Sequence, residues 1–274
     1  MKSQDLKTYH KMIRDTYDQR SANHDRSAWH RNMAIKLFQA LPPKSGDTVL
    51  DIATGTGTIA FKASPIVGNN GQVFAIDISQ GMLNEAMDKL SAMAFNNMLF
   101  ILADAEQNVF RENSFDRIYC ASAFFCILNP LSTLRYWHRL LKKQGTLAFH
   151  ALPEQSYFWI HEARQILAKH GYPYLINMAT ASMDSSRQLL LDAGFSRVEI
   201  EVESSGYYVP TEQALDSWIS ITDFIPGQAP HPVRDIPTDV LEQFKEEYLS
   251  RIKTLITEHG VWNDVTQYYI YAYK

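Results

Sequence analysis

Cysteine is nearly absent from this chain, with two in 274 residues, Cys120 and Cys126. A pair so close together cannot staple a secreted framework, which points to a reducing cytoplasm. Long apolar runs are missing too. Nothing approaches the roughly 18 residues of a membrane span, and Met1-Lys2-Ser3-Gln4-Asp5-Leu6 lacks the apolar core of a signal peptide. No Lys/Arg block stands out, and with a net charge of −4 this argues against nucleic acid as the main partner. Several catalytic signatures are absent: there is no G-x-S-x-G elbow and no P-loop. His161-Glu162-Ala163-Arg164-Gln165 begins like a zinc-protease helix but lacks its second histidine, and no metal cluster is evident.

What is present is a 46% hydrophobic composition, enough for one substantial core with a cap. The most informative stretch runs from Val49 to Ala60, VLDIATGTGTIA. Val49-Leu50-Asp51-Ile52 reads as the end of a buried strand, Thr54-Gly55-Thr56-Gly57 as a tight turn, and Ile59-Ala60 as a helix start. Such a turn offers free backbone N–H groups and a helix N-terminus to a nucleotide-type cofactor. Asp77, which closes Val73-Phe74-Ala75-Ile76, lies 20 residues beyond Gly57 and suits a ribose diol. This much serves a nicotinamide cofactor equally well, because Gly55 to Ala60 also fits G-x-G-x-x-A.

Two features favour S-adenosylmethionine. Asp51, four residues before Gly55, would repel a pyrophosphate but attract the ammonium of a methionine moiety. Asp104, in Ala103-Asp104-Ala105-Glu106, follows a third apolar run and can accept from an adenine amino group. The order Asp51-x-Ala-Thr-Gly-Thr-Gly, Asp77-Ile78-Ser79-Gln80-Gly81-Met82, Asp104-Ala105-Glu106 and Ser114-Phe115-Asp116 resembles the class I methyltransferases. It is most similar to their ubiquinone/menaquinone-biosynthesis group, over about residues 10–150.

The resemblance implies that Asp77 and Ile78 hold the ribose, Met82 packs on adenine, and Asp104 with Ala105 reads the adenine edge. It implies that Gly55, Thr56 and Gly57 receive the methionine end, with Ala53 and Cys120 also facing the cofactor and Tyr17 capping it. The sequence departs from that group twice. A second aromatic expected seven residues after Tyr17 is His24, and the usual His-His pair after strand four is Phe125-Cys126.

Strands near 48–52, 72–76, 98–102, 116–120 and 145–150 alternate with helices, a rhythm that predicts a Rossmann-like, doubly wound α/β sheet. Seven strands are expected, mostly parallel, with the last one, Thr266 to Tyr273, antiparallel. Residues 1–27 are expected to form a mobile arm over the cofactor, and 28–203 with 264–274 the core. Residues 204–263 exceed any hairpin and are expected to be a helical cap, with prolines 226, 230, 232 and 237 in a loop.

Ligands of such sheets gather at strand carboxyl ends. His150, after strand five, is the first candidate catalytic base and His24 the second, since histidine titrates near neutrality. Phe124, Phe125, Tyr157 and Trp218 are candidate substrate contacts, although most cap aromatics, Phe224 among them, should form the cap's own core. The expected activity is methyl transfer to a small, apolar or aromatic metabolite, on oxygen or nitrogen. C-methylation of a quinone precursor is the alternative. A nicotinamide-dependent oxidoreductase and a non-catalytic cofactor-binding regulator are the readings from other classes.

Overall fold

Four of the five residues in Thr48–Ile52 are buried, as a strand covered on both faces requires. This strand, β1, lies between two parallel neighbours: β2 (Gln72–Asp77), in register Leu50 with Phe74, and β4 (Phe115–Cys120), in register Leu50 with Ile118. β3 (Met98–Leu102) extends the sheet from β2, and β5 (Leu141–Ala151) runs parallel to β4. With β6 (Arg197–Glu203) and a late strand β9 (Gln267–Tyr273), the order is β3-β2-β1-β4-β5-β9-β6. Lys274 N–H donates to Gly145 and Ser196 N–H to Tyr273. The end of β9 thus meets the beginnings of β5 and β6, so β9 runs antiparallel as expected.

The computed structural model describes residues 3–26, 28–93, 95–107, 109–172, 176–218 and 236–274. Phe224, Pro226, Pro230 and Pro232 lie outside the described residues. The chain divides into two compact units: Met1–Ala151 with Arg187–Glu201 and Tyr269–Lys274, and Leu152–Ser186 with Val202–Tyr268. The second unit is therefore larger than the expected cap at 204–263, because residues 152–186 join it.

In the first unit the N-terminal arm is an 18-residue helix, α1 (Ser3–Arg20), followed by a 3-10 turn, Ser21–Arg26. Tyr9 and Ile13, one turn apart on α1, are both buried, which an all-polar reading of this segment overlooks. In α2 (Ala28–Ala40) Met33, Ala34, Leu37 and Phe38 are buried, while Trp29, four residues before Met33, remains 37% exposed. α3 (Thr58–Val67) starts at Gly57, whose φ of 91° suits glycine. α4 (Gln80–Ser91) is capped by the Ser79 hydroxyl, which accepts from Met82 N–H at 3.1 Å. α5 (Pro130–Leu140) begins with a proline, whose missing N–H costs nothing in the first turn.

The second unit has its own core. α6 (Phe158–Lys169) buries Ile160, Ala163 and Leu167 in one cluster with Phe244, Tyr248 and Ile252 of a long helix, Thr238–Leu255. Where only helix was expected, β7 (Gly206–Val209) pairs antiparallel with β8 (Val261–Asp264). Their alternation is too short, at four residues each, to stand out in sequence.

Trp137 of α5 is fully buried, donates from Nε1 to Ala105 O at 3.0 Å and meets Phe124 edge-on. Trp137→Ala is expected to cost about 3–5 kcal/mol of unfolding free energy, measured by urea titration. A loss well under 1 kcal/mol would show that α5 does not brace this end of the sheet.

Candidate active site

The order of strands reverses between β1 and β4, so their carboxyl ends open a crevice there. Two non-glycine residues at its lip, Ala53 after β1 and Ser122 after β4, have φ of 51° and 55°. Such left-handed conformations cost roughly 1–2 kcal/mol for residues with a Cβ and concentrate where ligands bind. The crevice is part of a cavity of about 1210 Å³, some of it open to solvent, formed by residues of the first unit alone.

Asp51 and Asp77 are buried at the cavity floor. Asp51 Oδ2 accepts from the Thr54 hydroxyl at 2.6 Å and from Ala60 N–H at 3.2 Å. Asp77 accepts from Gly55 N–H at 2.8 Å and Ser79 N–H at 2.9 Å, tying the β1 turn to the β2 turn. Burial raises both carboxyls above the usual range, Asp51 to about 7 and Asp77 to about 6, against the pull of those hydrogen bonds. Two desolvated acids in one cavity favour a cationic ligand.

Asp104 and Glu106, after β3, meet a residue not anticipated from sequence. His10 of α1 reaches Asp104 Oδ2 with Nδ1 at 2.9 Å and Glu106 Oε2 with Nε2 at 3.4 Å. The hydrogen bonds to Asp104 and then Glu106 raise His10 to about 9, against its burial. Burial works to raise both carboxyls, but the hydrogen bonds from His10 and from backbone N–H groups together outweigh it and hold them low. The donor atoms lie within 4.8 Å of one another, close enough for a cation. An imidazolium between the two carboxylates already offsets one of their two charges. Glu106 also accepts from Leu128 and Asn129 N–H and the Thr133 hydroxyl, so it anchors the start of α5.

α1 is seated by Asp18, whose Oδ1 takes Ser79 Oγ at 2.6 Å and Gly81 N–H at 2.8 Å. A Cβ on Gly81 would lie 3.1 Å from Asp18 Cα and 2.9 Å from Ser21 Oγ, so only glycine admits this approach. Tyr17 lines the cavity with its hydroxyl bonded to the Cys126 thiol, and Tyr9 donates to Cys126 O at 2.9 Å. Burial pushes the Cys126 thiol up to about 12, so it is no nucleophile near neutral pH.

Of the expected cofactor contacts, Tyr17, Asp51, Ala53, Gly55, Asp77, Ile78, Met82, Asp104, Ala105 and Cys120 all line the cavity. Thr56 and Gly57 fall outside that lining. Thr56 instead bonds Asp25 through its hydroxyl and Lys89 through its carbonyl.

His24 lines the cavity, with Nε2 at 3.4 Å from where a Cβ on Gly55 would stand. His150 does not: it is 1% exposed, with the rings of Trp29 and Tyr269 edge-on at 6.1 and 5.8 Å. A strand-end histidine points into whichever face of the sheet its register sets, which is invisible without the fold. Phe124 is buried on Phe149 at 4.5 Å, and Phe125 is not a lining residue. Tyr157 and Trp218 pack in the second unit's own cluster.

His30 and Arg31 of α2 line the cavity and were not anticipated from sequence. His30 stacks on His24 with centroids 5.2 Å apart and 16° between planes, and its Nδ1 is 3.1 Å from Ser122 Oγ.

Residues 43–165 match the model of a methyltransferase domain family. A ubiquinone/menaquinone biosynthesis C-methyltransferase of Coxiella burnetii is 31% identical over 195 residues, 65% of this chain and 77% of that protein. An aklanonic acid methyltransferase from a Streptomyces species is 30% identical over 144 residues, covering 52% and 66%. Among solved structures, the YcgJ protein of Bacillus subtilis aligns with a TM-score of 0.57 at 16% identity, over 89% and 98% of the two chains, a likeness of fold alone. The chain belongs to the class I S-adenosylmethionine-dependent methyltransferases, in the ubiquinone/menaquinone-biosynthesis-like group. Its cofactor is S-adenosylmethionine and its reaction is methyl transfer to a small molecule, which removes the nicotinamide reading. The buried acid pair fits this cationic cofactor. Among the described residues no helix is long and apolar enough to cross a membrane.

Because Asp51 must be ionised to favour a cation, S-adenosylmethionine binding should tighten as pH rises through about 7. Below that value the affinity should fall by up to about tenfold per pH unit. In Asp51→Asn the dependence should flatten and binding weaken, as read by calorimetric titration. A wild-type affinity constant across this range would mean that Asp51 does not face the cation.

Proposed function

We propose that the enzyme methylates oxygen or nitrogen of a small, apolar or ring-bearing metabolite, with His24 beside the reacting atom. The observation that carries this reading is that one cavity lining runs from the buried acids to His24, Cys126 and Ile127. Its lining includes Ile13, Ala34, Ile59 and Ile127, which suit an apolar acceptor. C-methylation of a quinone-type precursor is the second reading, supported by the 31% identity to the Coxiella enzyme. Phe125-Cys126, in place of the usual His-His pair, supports the first.

In this reading Asp77 and Ile78 take the ribose, Met82 packs on adenine, and Asp104 with Ala105 reads the adenine edge. Gly55 to Gly57, with Asp51, receive the methionine end beside Ala53 and Cys120, under Tyr17. His150 packs against Trp29 and Tyr269 outside the cavity lining, and Tyr157 and Trp218 belong to the second unit's own core. The residues at 1–27 act as the arm over the cofactor. The free thiols Cys120 and Cys126 agree with a cytoplasmic setting, and the net charge of −4 with a partner other than nucleic acid.

Titration with S-adenosylmethionine, S-adenosylhomocysteine and NADH, followed by labelled methyl transfer into metabolite fractions, tests the assignment. Binding of the two sulfur compounds with label transferred to an ether, ester or amine is expected. Label on ring carbon would favour the quinone-type reading, and binding without any transfer would leave only a regulatory cofactor binder. His24→Ala, which removes a side chain that aligns the acceptor, should lower kcat about 10²-fold while leaving S-adenosylhomocysteine affinity near wild type. His150→Ala should lower stability more than kcat. The reverse ranking would return the catalytic role to His150.

A further inference from the structure

The charges lining the cavity are sorted by element. The acids Asp51, Asp77, Asp104 and Glu106 come from the ends of β1, β2 and β3. The stretch from the 3-10 turn into α2 contributes His24, Asp25, His30 and Arg31. Asp25 is already neutralised: Lys89 Nζ stands 2.6 Å from Oδ2, and Thr56 bonds Oδ1. Arg31 has no ion pair or hydrogen bond among the described residues. His30 engages Ser122 through Nδ1, and its other ring nitrogen has no hydrogen-bond partner among the described residues. Both side chains stand in the first turn of a 13-residue helix, where free N–H groups and the dipole add positive potential.

The imidazoles themselves are neutral. Burial lowers His24, and burial, His24 and Arg20 together lower His30 to about 4. A neutral imidazole so reluctant to protonate is a poor base for an alcohol or a phenol near neutral pH. In the tautomer that carries its proton on Nε2, His30 donates from that nitrogen while Nδ1 stays 3.1 Å from Ser122 Oγ.

We propose that this strip selects an acceptor that arrives already ionised, a carboxylate or an acidic enol, with Arg31 pairing its charge and His30 donating to its oxygen. The inference deepens the reading given under Proposed function and rests on it. The acceptor's lone pair forms the bond to the methyl carbon as the methyl–sulfur bond breaks and its electrons stay on sulfur. An anion and a sulfonium become an uncharged ester or ether and a thioether, so no proton is released and no base is required. An ammonium acceptor would meet like charge from Arg31, and an unionised alcohol would lack a base.

The test uses the full chain saturated with S-adenosylhomocysteine and three probes sharing one ring system: 2-naphthoate, 2-naphthamide and 2-naphthylmethylamine. Calorimetric titration should find the carboxylate binding about tenfold more tightly than the amide, and the amine most weakly. Arg31→Gln should bring the carboxylate down to the amide's affinity, while the amide and S-adenosylhomocysteine affinities stay unchanged. Arg31→Lys should recover part of the preference. An amide or amine that binds as well as the carboxylate, a carboxylate that does not bind, or a preference that survives Arg31→Gln overturns the proposal. S-adenosylhomocysteine failing to bind the wild type would overturn the cofactor-site reading and this proposal together. Normal S-adenosylhomocysteine binding with no charge preference would sink this proposal alone.

Discussion

The bonds from Gly55 N–H and Ser79 N–H to the Asp77 carboxylate hold the cofactor end of the molecule together. One buried side chain joins the turn after β1 to the turn after β2, and through Ser79 it reaches the start of α4. The same Ser79 hydroxyl and Gly81 N–H hold Asp18 of α1. The N-terminal helix is thus fastened to the same point that shapes the floor. The acid is costly to bury, as its upward-shifted titration shows. That cost is tolerated because the two N–H donors need a partner there.

A second hub sits at the end of β3. Glu106 gathers His10, Leu128, Asn129 and Thr133, while Trp137 fixes Ala105 from the other side. Both hubs draw on α1, which therefore belongs to the site rather than serving as a detachable arm.

Much of this was legible in the sequence, and for physical reasons. Strand-end acids and a glycine turn obey local rules, so Asp51, Gly55, Asp77 and Asp104 could be ordered before any fold was known. The apolar runs located β1 to β5 within a few residues. What escaped was tertiary. His10, His30 and Arg31 sit on helices whose polar faces look like ordinary surface, and only the packing of α1 and α2 brings them over the crevice. His150 and Phe124 were read as site residues because they follow strands, but side-chain direction alternates along the chain and both turned into packed surroundings. β7 and β8, 55 residues apart at their first residues, had no local turn to announce them. The arm at 1–27 looked mobile because its mean polarity masks Tyr9 and Ile13.

The position of β9 bears on how the chain is made. It lies between β5 and β6, inside the sheet, yet it is the last strand to be synthesised. The crevice between β1 and β4 can assemble as soon as β5 has left the ribosome, whereas β6 must wait some seventy residues for the neighbour that joins it to the rest. During that interval β5 and β6 each present an unpaired edge, a liability for association with other chains. Vectorial synthesis thus builds the cofactor-binding half early and leaves closure of the sheet to a single late insertion.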